Sequence, residues 1–401
     1  MVVRTAIGNE VRALWDGGRG ISLIAVATAW GLLVGTRMIY PVLLPAIQTT
    51  YGLRLSVAGL LVTVLWLFAS LGQLPGGVLA DRYNERTLLA VSTIIVAVAL
   101  GFVVTAPTPL VLFLATALWG LGHSLYPIAR ITLLSTLYSE RLGSALGVTM
   151  ATGDIGQTVL PPVATALAVA VSWHLGLGFV APLLVLAGVL IWVAVPSRPA
   201  TERPTQSGSL RETLSVFGEL RNPSMAFMTV ILFLYIFIWQ SFTAFYPTYL
   251  TTVKGLSYTV SSVLFGFFFA VGVVVKPLSG AAYDRIGMRG SLISILLPPV
   301  AGFALLPFVE NIWLLLGITA LISTMLGSGA VTQSYLADSF SAEMKGTGLG
   351  VIRTTTATLG AGGPLLFGII GEYGYFDEGY IVLAVIMAAV IVLTLRMPQE
   401  Q

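Results

Sequence analysis

Four basic side chains, Arg37, Arg130, Lys276 and Arg353, lie inside stretches of the chain that are otherwise almost wholly apolar. A guanidinium presents a planar fork of donors that matches a carboxylate or phosphate through two parallel hydrogen bonds, and an ammonium offers a point charge to the same groups. Held in hydrocarbon, each such cation costs about 2.5 to 3.5 kcal/mol on insertion scales, so it faces a protein interior or a watery cavity. The chemistry implied is recognition of an anion. Tyr40 follows Arg37 by three residues, on nearly the same helical face, where its hydroxyl adds a polar contact. Tyr126 and His123 share a stripe with Arg130, at spacings of four and seven residues. His123 has two readings, a proton carrier near neutral pH or a hydrogen-bonded packing residue. Asp154, in GDIGQT, is the one acid deep in an apolar run. It either neutralises Arg37 or Arg130, or binds and releases a proton. Gln157, a turn away, and Gln240 complete the polar candidates.

The elements that must carry these residues follow from composition. Of 401 residues 56% are hydrophobic and only 9% charged, against about 25% charged in soluble domains, so the chain cannot cover itself with polar surface. Runs long enough to cross about 30 Å of hydrocarbon need roughly 20 residues. Twelve fit: 21–47, 56–80, 87–106, 109–138, 143–170, 176–195, 224–250, 257–282, 290–308, 311–338, 345–371 and 378–396. They form two sets of six, which predicts an N-terminal bundle over 21–195, a cytoplasmic linker over 196–223 and a C-terminal bundle over 224–396. Residues 1–20 and 397–401 flank them. With both termini cytoplasmic, 14 of the 20 Lys and Arg residues fall on the cytoplasmic side, as the positive-inside rule requires. The first 20 residues lack a signal-peptide core. There, Val3, Ile7, Val11, Leu14 and Trp15 share a helical face, which fits either an interfacial helix or a disordered tail. Zero cysteines exclude disulfides and thiolate chemistry. Dispersed basic residues and a net charge of +3 leave no nucleic-acid footprint.

An internal repeat refines this picture. GVLADRYNER (Gly77 to Arg86) and GAAYDRIGMR (Gly280 to Arg289) place Gly, Asp-Arg and Arg alike, offset by 203 residues. The same offset relates Glu140 to Glu343, Gly147 to Gly350 and Pro161 to Pro364, so the halves are parallel duplicates. On these residues the whole chain resembles the major facilitator superfamily, whose loop between the second and third spans reads G-x-x-x-D-R-x-G-R-K. The resemblance implies an all-α membrane protein, twelve transmembrane helices in two six-helix bundles. It also implies a conformational latch formed by Gly77, Asp81, Arg82 and Arg86 and by their copies Gly280, Asp284, Arg285 and Arg289. Asn84 replaces the family glycine and tolerates left-handed backbone; Glu85 replaces a basic residue. In the fifth span Gly147, Gly156 and Pro161 match part of the family's antiporter pattern, whereas Leu160, Ala164 and Thr165 do not. Thr116 stands where the family has an arginine. Lys276, in KPLSGAAYDR, resembles an element of monocarboxylate transporters that carries arginine there. Arg353 matches by depth the basic residue of oxalate/formate exchangers.

Apart from the end residues Glu378 and Arg396 of the twelfth, the third, sixth, ninth and twelfth spans hold no charged group, and in the family these spans face lipid. The expected protein is a secondary transporter of a small organic anion, working by alternating access as proton symport or anion exchange. The alternative is proton-driven efflux of hydrophobic or cationic compounds. Small anionic substrate, bilayer and protons are the expected partners, with the chain a monomer. No catalytic constellation, metal ligand set or cofactor motif stands out. Tyr246 and Pro247 echo Tyr40 and Pro41, and the Phe265–Gly272 run FGFFFAVG reads as packing.

Overall fold

The computed structural model describes residues 14–15, 18–73, 76, 79, 84–197, 223–339 and 345–397. Gly77, Asp81, Arg82, residues 1–13 and nearly all of the linker lie outside the described residues. Every regular element among the described residues is helical. In chain order these are α1 (Arg19–Tyr51), α2 (Leu55–Leu71), α3 (Glu85–Val104), α4 (Pro109–Ser124), α5 (Tyr126–Leu137), α6 (Leu142–Ala170), α7 (Trp173–Gly178) and α8 (Val180–Ala194). They continue with α9 (Pro223–Thr252), α10 (Tyr258–Leu305), α11 (Ile312–Ser323), α12 (Ser328–Ser339), α13 (Lys345–Gly360), α14 (Gly363–Glu372) and α15 (Phe376–Arg396). Among the described residues, eight helical segments are long and apolar enough to cross a membrane. The protein is an all-α, multi-pass membrane protein.

Several spans are broken where the residues demand it. Pro127 has no N–H to give the carbonyl of His123, and the helix stops at Ser124 and restarts at Tyr126. At 48 residues α10 is about 72 Å long at 1.5 Å per residue, more than twice the hydrocarbon thickness. It is two helices meeting at Gly287, whose φ of 69° and ψ of 179° belong to a backbone region that is essentially glycine-only. The stretch GAAYDRIGMR, expected as a loop, is therefore helix with a single break. Its repeat partner Asn84 is not left-handed. At φ −66° and ψ 133° it is the N-cap of α3, its side chain accepting from the Arg86 N–H at 2.9 Å. A Cβ at Gly287 meets nothing within 4 Å. Gly287→Ala is thus expected to destabilise by about 1 to 3 kcal/mol through backbone strain alone, read as a lower melting temperature in detergent.

The chain divides into two compact units, residues 1–39 with 68–207 and residues 40–67 with 208–401. In the first unit α3 is central, packed by α4, α5, α7 and α8. Small residues let backbones meet: Gly122 abuts Ile95, Gly188 abuts Thr93, and the Ser92 hydroxyl donates to the Gly122 carbonyl at 2.7 Å. Leu14 is buried with Leu23, Leu134, Tyr138 and Ala145, and the Tyr138 hydroxyl donates to the Leu14 carbonyl at 3.0 Å. Leu14 therefore packs on protein, while Trp15 is exposed. Outward faces are apolar, as lipid requires: Val98 and Phe102 on α3, Leu186 and Val193 on α8.

In the second unit α9 is central, against α10, α13, α14 and α15. Phe242, Tyr246, Phe268, Phe303, Phe367 and Tyr380 form one buried aromatic core. Phe265 and Phe268 each pack edge to face with Phe269, and all three are buried, so this part of the FGFFFAVG run is core. Residues 40–67 join this unit through backbone approach: a Cβ on Gly59 would collide with the Pro364 carbonyl, and Thr63 accepts from the Leu365 N–H at 3.1 Å. The α14 terminus caps α2. Glu372 accepts from the Ser56 N–H at 3.1 Å and from the Ser56 hydroxyl, with Arg54 3.8 Å away.

The two Ser56 hydrogen bonds, with help from Arg54, hold the Glu372 carboxyl below its ordinary value of 4.5. A depressed acid stabilises above its unfolded value and loses that contribution as pH falls through the folded one. The stability gap between the native protein and Glu372→Gln should therefore stay constant from pH 8 to about pH 5 and close only in stronger acid, as thermal melts across pH would show.

Candidate functional site

Two of the four cations within the apolar runs, Arg37 and Arg130, meet in the first unit around a stack of Trp30, His123 and Tyr126. Trp30 lies on α1, seven residues before Arg37 and so on its face. Its ring stacks on His123 and on Tyr126, each at 6.0 Å between centroids, with interplanar angles of 27° and 19°. The Arg130 guanidinium is 4.0 Å from the same ring, a cation–π contact worth about 2 kcal/mol when desolvated. The break before Pro127 lets both His123, ending α4, and Tyr126, opening α5, present to this ring. The stripe expected from spacing is real, and Trp30 is its platform.

Hydrogen bonds then fix each member. Arg130 Nη1 donates to Thr149 Oγ1 at 2.9 Å, and the Tyr126 hydroxyl donates to the Val26 carbonyl at 2.8 Å. Arg37 Nη1 lies 3.3 Å from His123 Nε2. A guanidinium has donors only, so Nε2 accepts and the imidazole proton resides on Nδ1. On α6, Gln157 Nε2 donates to Asp154 Oδ1 at 3.4 Å, and both side chains are buried.

Close helix contact positions this set. A Cβ at Gly31 would come 2.7 Å from the Thr152 carbonyl, one at Gly153 would come 2.8 Å from Trp30 Nε1, and Gly156 faces the Gly31 backbone. Gly147, from the same sequence pattern, has open space around it. The glycines of α6 thus differ in role: Gly156 and Gly153 bring α1 against α6, and Gly147 does not.

The remaining candidates lie elsewhere. Tyr40 is fully buried on α1, one turn beyond Arg37. In the second unit Lys276 is half-buried on α10, and Arg353 is exposed on α13 between buried Ile352 and Thr354. Gln240 on α9 is buried, and its Oε1 accepts from nothing among the described residues. Tyr246 contacts Thr319 Oγ1 at 2.5 Å and belongs to the aromatic core. Of the latch residues, Arg86 stacks on Trp192 at 4.4 Å, Arg289 donates to the Met397 carbonyl, and Asp284 and Arg285 are exposed. A Cβ at Gly280 would meet nothing within 4 Å.

Trp30 and Thr149 escaped sequence reasoning. The seven-residue interval to Arg37 was a usable signal for Trp30, but an apolar helix offers many such aromatic positions. Thr149 carried no signal until Arg130 was seen to reach it.

A family model described as Major Facilitator Superfamily matches residues 25–362. The chain is 22% identical over 365 residues to a hexuronate transporter of Bacillus subtilis (strain 168), a match covering 84% of each chain. It is 29% identical over 266 residues to the multidrug resistance protein MdtG of Citrobacter koseri, covering 64% of this chain and 63% of that one. A solved structure of the nucleoside transporter NupG has a TM-score of 0.80, covering 94% of this chain and 99% of that chain. At 15% identity this likeness concerns the fold alone.

Proposed function

The chain belongs to the Major Facilitator Superfamily, and we propose that it is a secondary transporter of a small organic anion, a carboxylate. The observation that carries this reading is the convergence of Arg37 and Arg130 on Trp30, His123 and Tyr126. Two guanidiniums kept within one helical unit repel each other, and a carboxylate placed at Arg37 relieves that repulsion while taking a bidentate pair of donors. Arg130 is engaged by Trp30 and Thr149, which suits a fixed background charge. Arg37 is half-buried with its Nη1 against His123 Nε2, and in this reading it is the group that greets the substrate. Tyr40, Gln157, Gln240, Lys276 and Arg353 are the further candidate substrate contacts in this reading. A relative named for hexuronate, an acidic sugar, supports the same sign of charge.

The transport cycle is alternating access between the two duplicated halves, with both termini cytoplasmic and the 196–223 segment linking the halves. Arg86 and the Gly280, Asp284, Arg285 and Arg289 cluster act as latches together with Gly77, Asp81 and Arg82. The chain works as a monomer.

Proton-driven drug efflux is the second reading, favoured by the partial glycine–proline pattern of the fifth span and by the likeness to a multidrug resistance protein. The two readings separate in proteoliposomes. We expect uptake of at least one of glucuronate, lactate and benzoate above empty vesicles, and no accumulation of a lipophilic cation such as tetraphenylphosphonium. Transport of the cation alone would reverse the assignment.

A further inference from the structure

His123 carries a feature that anion binding by itself does not use. Because Arg37 donates to Nε2, the ring's single proton is on Nδ1. The His123 side chain is only 3% exposed, and Nδ1 has no hydrogen-bond acceptor among the described residues. A donor is thus buried with nothing to receive it, beside two guanidiniums that would attract an anion. The groups that bear on the imidazole are few. From α1 come Arg37 and the Trp30 ring; from α5 come Tyr126 and Arg130, both on that ring. On α6 the buried acid Asp154 is held by Gln157, and from α3 comes Ser92, whose hydroxyl is taken by the Gly122 carbonyl next to His123.

Resting on the anion reading, we propose that His123 is the proton site of a proton–carboxylate symport and that Arg37 gates it. With no substrate, Arg37 occupies the only lone pair at which the ring can be protonated, and the site stays proton-free. An arriving carboxylate draws the Arg37 guanidinium into bidentate pairing and uncovers Nε2. One proton from a hydronium ion then moves to Nε2: an O–H bond of the hydronium breaks, leaving water, and an N–H bond forms. The imidazolium adds its charge beside the anion and supplies donors to it. Release on the far side reverses each step: the carboxylate leaves, the proton returns to water, and Arg37 closes on Nε2. One proton and one monocarboxylate cross together, so the cycle moves no net charge. The same geometry forbids a proton leak, because the proton and the Arg37 contact compete for one lone pair.

The test uses the full chain, with glucuronate, lactate and benzoate as probes. In weakly buffered detergent solution, binding of a transported probe should take up close to one proton per protein, and His123→Gln should take up none. Glutamine can accept from Arg37 and cannot be protonated near neutral pH. In proteoliposomes the native protein should accumulate the probe when the outside is acid and ignore an imposed membrane potential. His123→Gln should still perform counterflow at a reduced rate, which shows that it is folded, and should lose accumulation driven by pH. Accumulation that survives in His123→Gln overturns the proposal. So does probe binding without proton uptake in the native protein. Proton uptake that persists in His123→Gln but disappears in Asp154→Asn also overturns it, by moving the proton to Asp154. If none of the probes is transported by the native protein, the anion reading fails and the proposal with it. If a probe moves regardless of the pH gradient, only the coupling assignment fails.

Discussion

Arg37→Gln is expected to lower initial uptake of the transported carboxylate by about 30- to 100-fold at limiting concentration. Glutamine retains length and polarity but removes the charge and one of the paired donors. Charge-assisted hydrogen bonds are worth roughly 1.5 to 3 kcal/mol, and about 1.4 kcal/mol corresponds to a factor of ten. A lysine at the same position keeps the charge as a point and loses the fork, so Arg37→Lys should fall between the two, at about tenfold. Uptake measured at matched protein incorporation checks both. Full activity in Arg37→Gln would remove Arg37 from the binding site, whatever its contact with His123.

The second large effect concerns the backbone that carries Arg37. Gly156→Ala should destabilise the protein by about 1 to 3 kcal/mol and abolish most transport, whereas Gly147→Ala, on the same helix, should be neutral or stabilising. A Cβ at position 156 would overlap the carbonyl of Gly31, and a Cβ at Gly35 would overlap the Gly156 backbone in turn. Both partners are main chain, so no rotamer relieves the clash and α1 must move away from α6. Helices in lipid associate through such close packing and not through hydrophobic expulsion, so no other force compensates. Since Trp30 and Arg37 ride on α1, separation would also displace the platform under His123, Tyr126 and Arg130. At Gly147 nothing lies within 4 Å, and alanine only stiffens the helix. Melting temperature and uptake measured on the pair give opposite signs if helix contact is the cause, and the same sign if any glycine of α6 is simply flexible by need.

Much of the molecule was legible in the chain because the governing energies are local. The hydrocarbon layer sets the length of each apolar run, which made the membrane class and its spans readable. Burial of a charge is costly wherever the helix goes, so Arg37, Arg130, Lys276, Arg353 and Asp154 announced themselves one by one. The duplication of GVLADRYNER in GAAYDRIGMR was visible as text, and so was the stripe of His123, Tyr126 and Arg130.

What the text could not supply depends on which faces meet. Asn84 and Gly287 occupy equivalent repeat positions, yet one caps a helix in extended backbone and the other turns between helices at positive φ. Gly147 and Gly156 read alike in a motif, and only the approach of Gly31 separates them. Trp30 looked like any aromatic residue of an apolar helix until Arg130, His123 and Tyr126 were found on its ring. By itself the sequence determined that this is a duplicated membrane transporter scaffold with basic residues set inside its apolar runs, because transfer energies add residue by residue. The tertiary structure decided that Arg130 lies over the Trp30 ring and that Arg37 holds the lone pair of the His123 stacked on that ring, because such contacts exist only once separate helices pack.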